Sequence, residues 1–182
     1  MLNIDQEFLK KSIKIHGERL KLIIAIEEMS ELIKELCKSL RQELRYQDLV
    51  EEVADVLICM DMVKIIYDIK DDEYPQSKSI DVLLNSNEIT SKLCATRSTG
   101  TVDISCIKSM SNLTNDLYTK IVGMNTERLS FLDKYYAVLV SLMFVRVKHH
   151  ISDEELQAVI DYKNKRQAER DDAKTKEDKA TA

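Results

Sequence analysis

An all-α fold is predicted by the scarcity of turn-forming residues and by the long amphipathic repeats of this sequence. Only 3 Gly and 1 Pro occur among 182 residues, too few for the many tight corners of a β-sandwich or barrel. Hydrophobic residues make up 44% of the chain and charged residues 32%, so it can bury a core and keep a polar surface. We therefore expect a helical bundle with one shared core.

The apolar positions of the first half outline two helices. A 4-3-4-3-4 spacing from Leu22 to Leu40 predicts a helix over about 18–42, with one apolar face. The same spacing from Leu49 to Tyr67 predicts a second helix over about 47–68. Because the link between them is short, the two helices should pack as an antiparallel pair.

The second half is predicted to contain another helix pair and a final helix. Residues 74–107 hold the chain's single proline and many Ser, Thr and Asn, so we expect a connecting segment with interrupted helix there. The patterns predict a pair over about 108–122 and 128–150, followed by a helix over about 153–168. The charged residues 169–182 are predicted to form a disordered tail.

The two pairs resemble copies of one antiparallel unit. Apolar positions stay matched when 53–74 is set over 135–156. Any two amphipathic helices share such spacing, so the internal duplication is a hypothesis. It divides the chain into a functional repeat over 1–73 and, within 108–168, a degenerate repeat with the C-terminal helix.

Carboxylates cluster in the first half only, and they carry the chemistry of this sequence. Glu28 and Glu31 stand at i, i+3, as do Glu52 and Asp55, so each pair lies on one helix face. Antiparallel packing would bring the four acids together, and oxygen ligands on rigid helices suit a hard cation such as Mg²⁺. A solvated acidic face is the alternative, but both acidic rows continue into apolar residues, which disfavours it.

The motifs EExxE and ExxD, separated by 20 residues, resemble those of the MazG-like nucleotide pyrophosphohydrolases. These belong to the all-α NTP pyrophosphatases. The motifs lie in HGERLKLIIAIEEMSELIKEL and DLVEEVADVLICMDMVKIIY, and ISDEELQAVIDYKNKR is similar to the C-terminal end of short, phage-type members. The resemblance implies a helical bundle that hydrolyses a nucleoside triphosphate to the monophosphate and pyrophosphate. It also implies that the four acids bind Mg²⁺, with Mn²⁺ as a substitute.

Further residues are candidates for supporting roles. Glu27 and Glu51 adjoin the acid pairs and are candidates to support the ligands or to act as general base. Lys163 and Arg166 resemble the phosphate-contacting tail of the family, although a charged helix end in solvent is an equal alternative. In dimeric members neighbouring subunits help to build the active site, so the resemblance implies a homo-oligomer or a second repeat that takes the neighbour's place.

Charge and composition limit the partners. The net charge of −5 disfavours broad capture of nucleic acid, which depends on basic side chains. The longest apolar run, 135–145, is too short to span a membrane. Cysteines without paired spacing and an N-terminus without an apolar leader indicate the cytoplasm. A noncatalytic helical regulator that binds a nucleotide or a protein is the alternative to an enzyme.

Overall fold

The described part of the chain is built from six α-helices. The computed structural model describes residues 2–70, 72–74, 92 and 95–180, with side chains to residue 173. The helices are α1 (Gln6–His16), α2 (Glu18–Leu40), α3 (Tyr46–Ile66), α4 (Thr99–Ile121), α5 (Arg128–Lys148) and α6 (Asp153–Ala180). No strand occurs in these residues, so the predicted all-α helical bundle is confirmed.

The bundle is formed by two antiparallel pairs that share one core. Helix α2 packs against α3 and α4, and α4 packs against α5. Helices α1 and α6 contact each other and both pack on α3. The apolar faces meet in a continuous core whose fully buried members include Met29, Leu36, Met60, Leu113 and Leu142. This arrangement follows from the 3-4 apolar spacing, which gives each helix one face to bury.

Helix α1 is held beside α2 by a sharp reversal at Gly17. The Asp5 side chain caps the start of α1 by accepting a hydrogen bond from the Phe8 amide. At the other end the Gly17 amide donates to the Ile13 carbonyl, and Gly17 has a φ of 83°, a conformation that glycine adopts without strain. Helix α2 begins at the next residue, so the chain folds back and α1 lies against α2 and α3.

Helix α4 begins earlier than the sequence predicts. The expected connecting segment was 74–107, but α4 starts at Thr99, where the Ser98 side chain accepts a hydrogen bond from the Thr101 amide. Val102 and Cys106 are buried on this added part of the helix, and their packing outweighs the poor helix propensity of the Ser- and Thr-rich stretch. Most of the remaining connecting segment lies outside the described residues.

Helix α6 continues through most of the range predicted to be a disordered tail. It runs to Ala180, whereas the prediction placed a tail over 169–182. Asp171 has no exposed side-chain surface and accepts a hydrogen bond from the Gln167 amide nitrogen at 2.6 Å, while its Oδ1 lies 2.7 Å from His16 Nε2. The composition of this segment does not reveal such a distant partner, which is why the prediction failed.

The two helix pairs correspond closely in length and in their turns. Helices α2 and α4 each have 23 residues, and α3 and α5 each have 21. The chain takes a positive φ just after each helix, at the matched positions Gln42 and Gly123 and at Asp68 and His150. Met29, Leu32 and Leu36 are buried, as are their counterparts Met110, Leu113 and Leu117. A common origin of the two pairs stays a prediction.

Two observations bear on the cellular context. Within the described residues, none of the helices combines the length and the apolar character needed to cross a membrane. Cys37, Cys59 and Cys106 are free thiols, and Cys94 lies outside the described residues. The cytoplasmic location stays a prediction.

Candidate metal centre

Three of the predicted acidic residues converge between α2 and α3. Glu28 of α2 and Glu52 and Asp55 of α3 each offer one carboxylate oxygen, and these oxygens all lie within 4.8 Å of one another. The i, i+3 spacing of Glu52 and Asp55 places both on one face of α3, and the antiparallel packing brings Glu28 opposite them. We call Glu28, Glu52 and Asp55 the acidic triad.

The surroundings of the triad disfavour its negative charge. Burial, followed by the charges of Asp55 and Glu52, raises the pKa of Glu28 to about 7, against the lowering effect of Lys163. Burial, followed by the charges of Asp55 and Glu31, likewise raises the pKa of Glu52 to about 7. The pKa of Asp55 is also raised, mainly by burial, against the lowering effect of Lys163. Holding three ionised carboxylates here therefore requires compensating positive charge.

The donor set fits a hard divalent cation. All three groups are carboxylates, and Mg²⁺ prefers oxygen ligands and is usually held by a few carboxylates together with water and phosphate oxygens. A bound cation would displace the protons that burial favours on Glu28 and Glu52. The triad therefore has both the ligand atoms and the excess negative charge that such an ion needs.

Glu31, the fourth predicted ligand, is not part of the triad. Its carboxylate forms an ion pair with Lys34 one turn further along α2, and 44% of its side chain is exposed. Its charge still reaches the site, because it contributes to the raised pKa of Glu52. The structure thus brings together three of the four predicted ligands and places Glu31 beside them.

Glu27 and Glu51 lie outside the triad. Both residues are exposed, and Glu51 Oε1 accepts a 3.4 Å hydrogen bond from the Gln47 amide nitrogen one turn earlier. Their influence on the site is electrostatic, since Glu27 raises the pKa of Glu28 and Glu51 raises that of Asp55.

Lys163 reaches the triad from α6. Its ammonium group forms an ion pair with Asp55, and only 28% of its side chain is exposed. Lys163 is therefore not a solvated residue at a helix end, and it sits where it can contact an anion next to the triad. Arg166, one turn later, lines the neighbouring cavity but is largely exposed.

A cavity of about 250 Å³ adjoins the triad and is lined by residues of four helices. Glu28 and Asp55 lie on its wall, and α6 supplies Lys163, Arg166 and Arg170. The described lining residues come from α1, α2, α3 and α6, and none of them belongs to the second helix pair. The sequence analysis suggested that the second pair takes a neighbouring subunit's place in the site. The described lining does not support this suggestion, because α1 and α6 line the cavity in its place.

A buried polar contact fixes α6 over this cavity. Asp171 Oδ1 lies 2.7 Å from His16 Nε2, and close by Lys11 Nζ donates to Asp172 at 3.0 Å. Burial alone would raise the pKa of Asp171, but hydrogen bonds from His16 and Gln167 hold it below its usual range. These contacts join α1 to the second half of α6 and so hold both helices in place beside the cavity.

Sequence reasoning missed the contributions of α1 and of Lys21 to this cavity. Helix α1 carries no recognisable motif, although Phe8, Leu9 and Ser12 all line the cavity. Lys21 precedes Glu28 by seven residues, two helical turns, so it lies on the same face of α2. This seven-residue spacing could have identified Lys21, because a lysine on the same helix face as a candidate ligand lies on the same side of the site.

Comparisons with protein-family models, curated proteins and solved structures find no match to this chain. A functional assignment therefore depends on the geometry of the site and on the motifs of α2 and α3.

Proposed function

We propose that this protein is a Mg²⁺-dependent, MazG-like nucleoside triphosphate pyrophosphohydrolase that releases a nucleoside monophosphate and pyrophosphate. The observation that carries the proposal is the acidic triad, whose three carboxylate oxygens lie within 4.8 Å of one another beside a cavity. Such an enzyme is a hydrolase that acts on an acid anhydride.

In this proposal the triad holds the cation, with Mn²⁺ as a substitute for Mg²⁺. The bound ion would neutralise triphosphate charge and act as a Lewis acid on the phosphoryl group. Rigid helices present the three carboxylates, so the ligand atoms need little reorganisation. This suits a chain whose net charge of −5 would otherwise repel an anionic substrate.

A carboxylate outside the triad is needed to accept a proton from the attacking water. We assign this role to Glu31, which lies one turn from Glu28 and close enough to Glu52 to raise its pKa. Glu27 and Glu51 are the alternatives, since each exerts its charge on one triad member. No covalent intermediate is required.

Lys163 is suited to bind a phosphate group of the substrate. In the structure its ammonium group neutralises Asp55. A cation bound to Asp55 would take over that neutralisation, and Lys163 could then pair with an anionic phosphate oxygen. Arg166 on the cavity wall offers a second, more exposed contact of the same kind.

The same ion pair supports a second candidate function. Because Lys163 already compensates part of the triad's charge, the cluster has a stabilising partner even without a cation. A noncatalytic helical regulator that binds a nucleotide or a protein would need no more than this. Nucleotide binding without turnover distinguishes it from the enzyme.

The test is a panel of canonical and modified nucleoside triphosphates assayed for pyrophosphate and monophosphate in Mg²⁺, Mn²⁺ or EDTA. We expect release with either metal and none in EDTA. Glu52→Gln and Asp55→Asn should each lower the rate by about 10²-fold or more, because each removes a charge that holds the metal. Glu154→Gln, at an exposed position of α6, is the matched control and should remain active. Near-full activity of both triad variants would refute the assignment.

A further inference from the structure

Beyond the triad, the cavity extends along α2 and α3 to a buried lysine. On α2 the lining residues run from Glu28 through Ile24 to Lys21. On α3 they run from Asp55 to Met62. At a rise of about 1.5 Å per residue, seven residues of helix place Lys21 about 10 Å from Glu28 along the axis. The antiparallel packing of α2 and α3 puts Met62 at the same far end.

Apolar side chains form one part of the cavity wall, and polar side chains form the rest. Ile24, Ile58 and Cys59 contribute from α2 and α3, and Phe8 and Leu9 close the cavity from α1. At about 250 Å³ the cavity is smaller than the usual range for drug-sized ligands. A space of this size and character suits one flat heterocycle, with the charged groups attached to it lying at the triad.

Lys21 is an unusual residue for its position. It is only 5% exposed, and its counterpart in the second helix pair is Val102, which is 2% exposed. The position is thus an ordinary core position in α4, where valine fills it. A charged side chain at such a site needs polar partners, and on the cavity wall a ligand can add one to those within the protein.

The charge of Lys21 acts on Cys59, which also lines the cavity. Burial raises the pKa of the Cys59 thiol, and among the nearby charges Lys21 and Lys163 oppose this rise. Cys59 and Lys21 both line the cavity. An ammonium group has three donors and no acceptor, so Lys21 can donate to a ligand in addition to its interactions within the protein.

We propose that this cavity binds the base of the nucleotide and that Lys21 selects bases with a ring carbonyl, such as uracil, thymine and guanine, over adenine. The inference rests on the proposed function and adds the substrate class. A carbonyl oxygen accepts a hydrogen bond from Lys21, whereas adenine presents an amino group, a donor, at the equivalent edge. Two donors that face each other cannot form a hydrogen bond, so adenine gains no such contact from Lys21.

The expected selectivity is about 10- to 100-fold in kcat/KM for UTP, dTTP or GTP over ATP, as for other buried hydrogen bonds to a charged donor. Lys21→Met keeps the length of the side chain and removes its donors, so the preference for UTP, dTTP or GTP over ATP should fall to near unity. Lys21→Gln has both a donor and an acceptor, so it can also accept a hydrogen bond from the amino group of adenine. The preference for UTP, dTTP or GTP over ATP should therefore become smaller. Lys108→Met makes the same change at an exposed position of α4 and should leave the preference intact.

A binding measurement separates this inference from the proposed reaction. Calorimetric titration of UMP and AMP in Mg²⁺ should give tighter binding of UMP to the parent protein and equal binding to Lys21→Met. This result without any hydrolysis would refute the enzyme and support the base selectivity. Hydrolysis with equal efficiency on UTP and ATP, or a preference that survives in Lys21→Met, would overturn the selectivity and leave the enzyme standing. If Lys21→Met does not fold, the base preferences of the parent protein and of Lys21→Gln test the selectivity. If no nucleotide binds, the selectivity and the proposed function are both overturned.

Discussion

Helices α2 and α3 bring acidic side chains together at positions where helices α4 and α5 pair an acid with a lysine. Glu52 belongs to the acidic triad, and its counterpart Lys134 donates hydrogen bonds at 2.8 Å to both carboxylate oxygens of Asp116. The helix lengths of the two pairs are the same. One scaffold thus supports either a candidate metal site or an internal ion pair, depending on which charge occupies this position.

Two buried acids, one on α2 and one on α4, explain why the two helix pairs differ in charge at this position. Glu35 and Asp116 occupy matched positions on α2 and α4, and each side chain is 3% exposed. Glu35 accepts a 2.7 Å hydrogen bond from Lys38 on its own helix, whereas Asp116 takes its counter-charge from α5. Because α2 supplies the counter-charge for Glu35 itself, α3 does not need a lysine at position 52.

The largest effect should come from matched substitutions in the two pairs, measured as pyrophosphate release. Glu28→Gln removes a triad charge and should lower activity by about 10²-fold or more. Its counterpart Ser109 carries no charge, so Ser109→Ala should stay within about twofold of the parent. Equal losses in both variants would mean that the second pair takes part in the chemistry.

Lys134→Met should destabilise the protein by about 2 to 3 kcal/mol, because it leaves the buried Asp116 carboxylate without its partner. Urea unfolding measures the change, with Lys108→Met as the control. Adding Asp116→Asn to Lys134→Met should recover part of the loss, since the unpaired charge is then removed. A small loss for Lys134→Met would show that this pair does not hold α4 and α5 together.

Without metal, stability should rise by about 1 to 2 kcal/mol as the pH falls from about 8 to about 5, after allowance for solvent screening. The pKa values of Glu28 and Glu52 are raised from 4.5 to about 7, so between these values the folded protein binds more protons than the unfolded chain. Saturating Mg²⁺ should flatten this dependence, because the ion replaces the protons. Urea unfolding in EDTA at several pH values tests the sign, and stability that falls over this range would contradict it.

The smallest effect should be a gain. Glu52→Gln removes repulsion within the triad and should stabilise the metal-free protein by about 1 kcal/mol, a value reduced for solvent screening at this half-buried site. The same variant should lose the stabilisation that Mg²⁺ gives the parent. Thermal melts in EDTA and in Mg²⁺ measure both changes. Destabilisation in EDTA, together with no response of the parent to Mg²⁺, would show that the triad is not a metal site.

Spacing along the chain is enough to predict the helical class, the two antiparallel pairs and the faces that carry the acids. These features depend on spacing within single helices, such as the i, i+3 separation of Glu52 and Asp55, and helical geometry converts that spacing directly into a shared face. The same reasoning placed Glu31 with Glu28, but it did not weigh Lys34, whose ion pair holds the Glu31 carboxylate apart from the triad.

The surroundings of the triad, in contrast, follow from the docking of whole helices. Lys163 reaches Asp55 across 108 positions of sequence, and Asp171 meets His16 across 155. Such contacts depend on how whole helices dock, and no local period encodes the docking of α1 and α6 on α3. For the same reason the end of α6 looked like a solvated tail in the sequence, although a buried carboxylate anchors it. The burial of Lys21 was likewise hidden, because its spacing from Glu28 indicates a shared helix face but not that α1 and α6 cover that face.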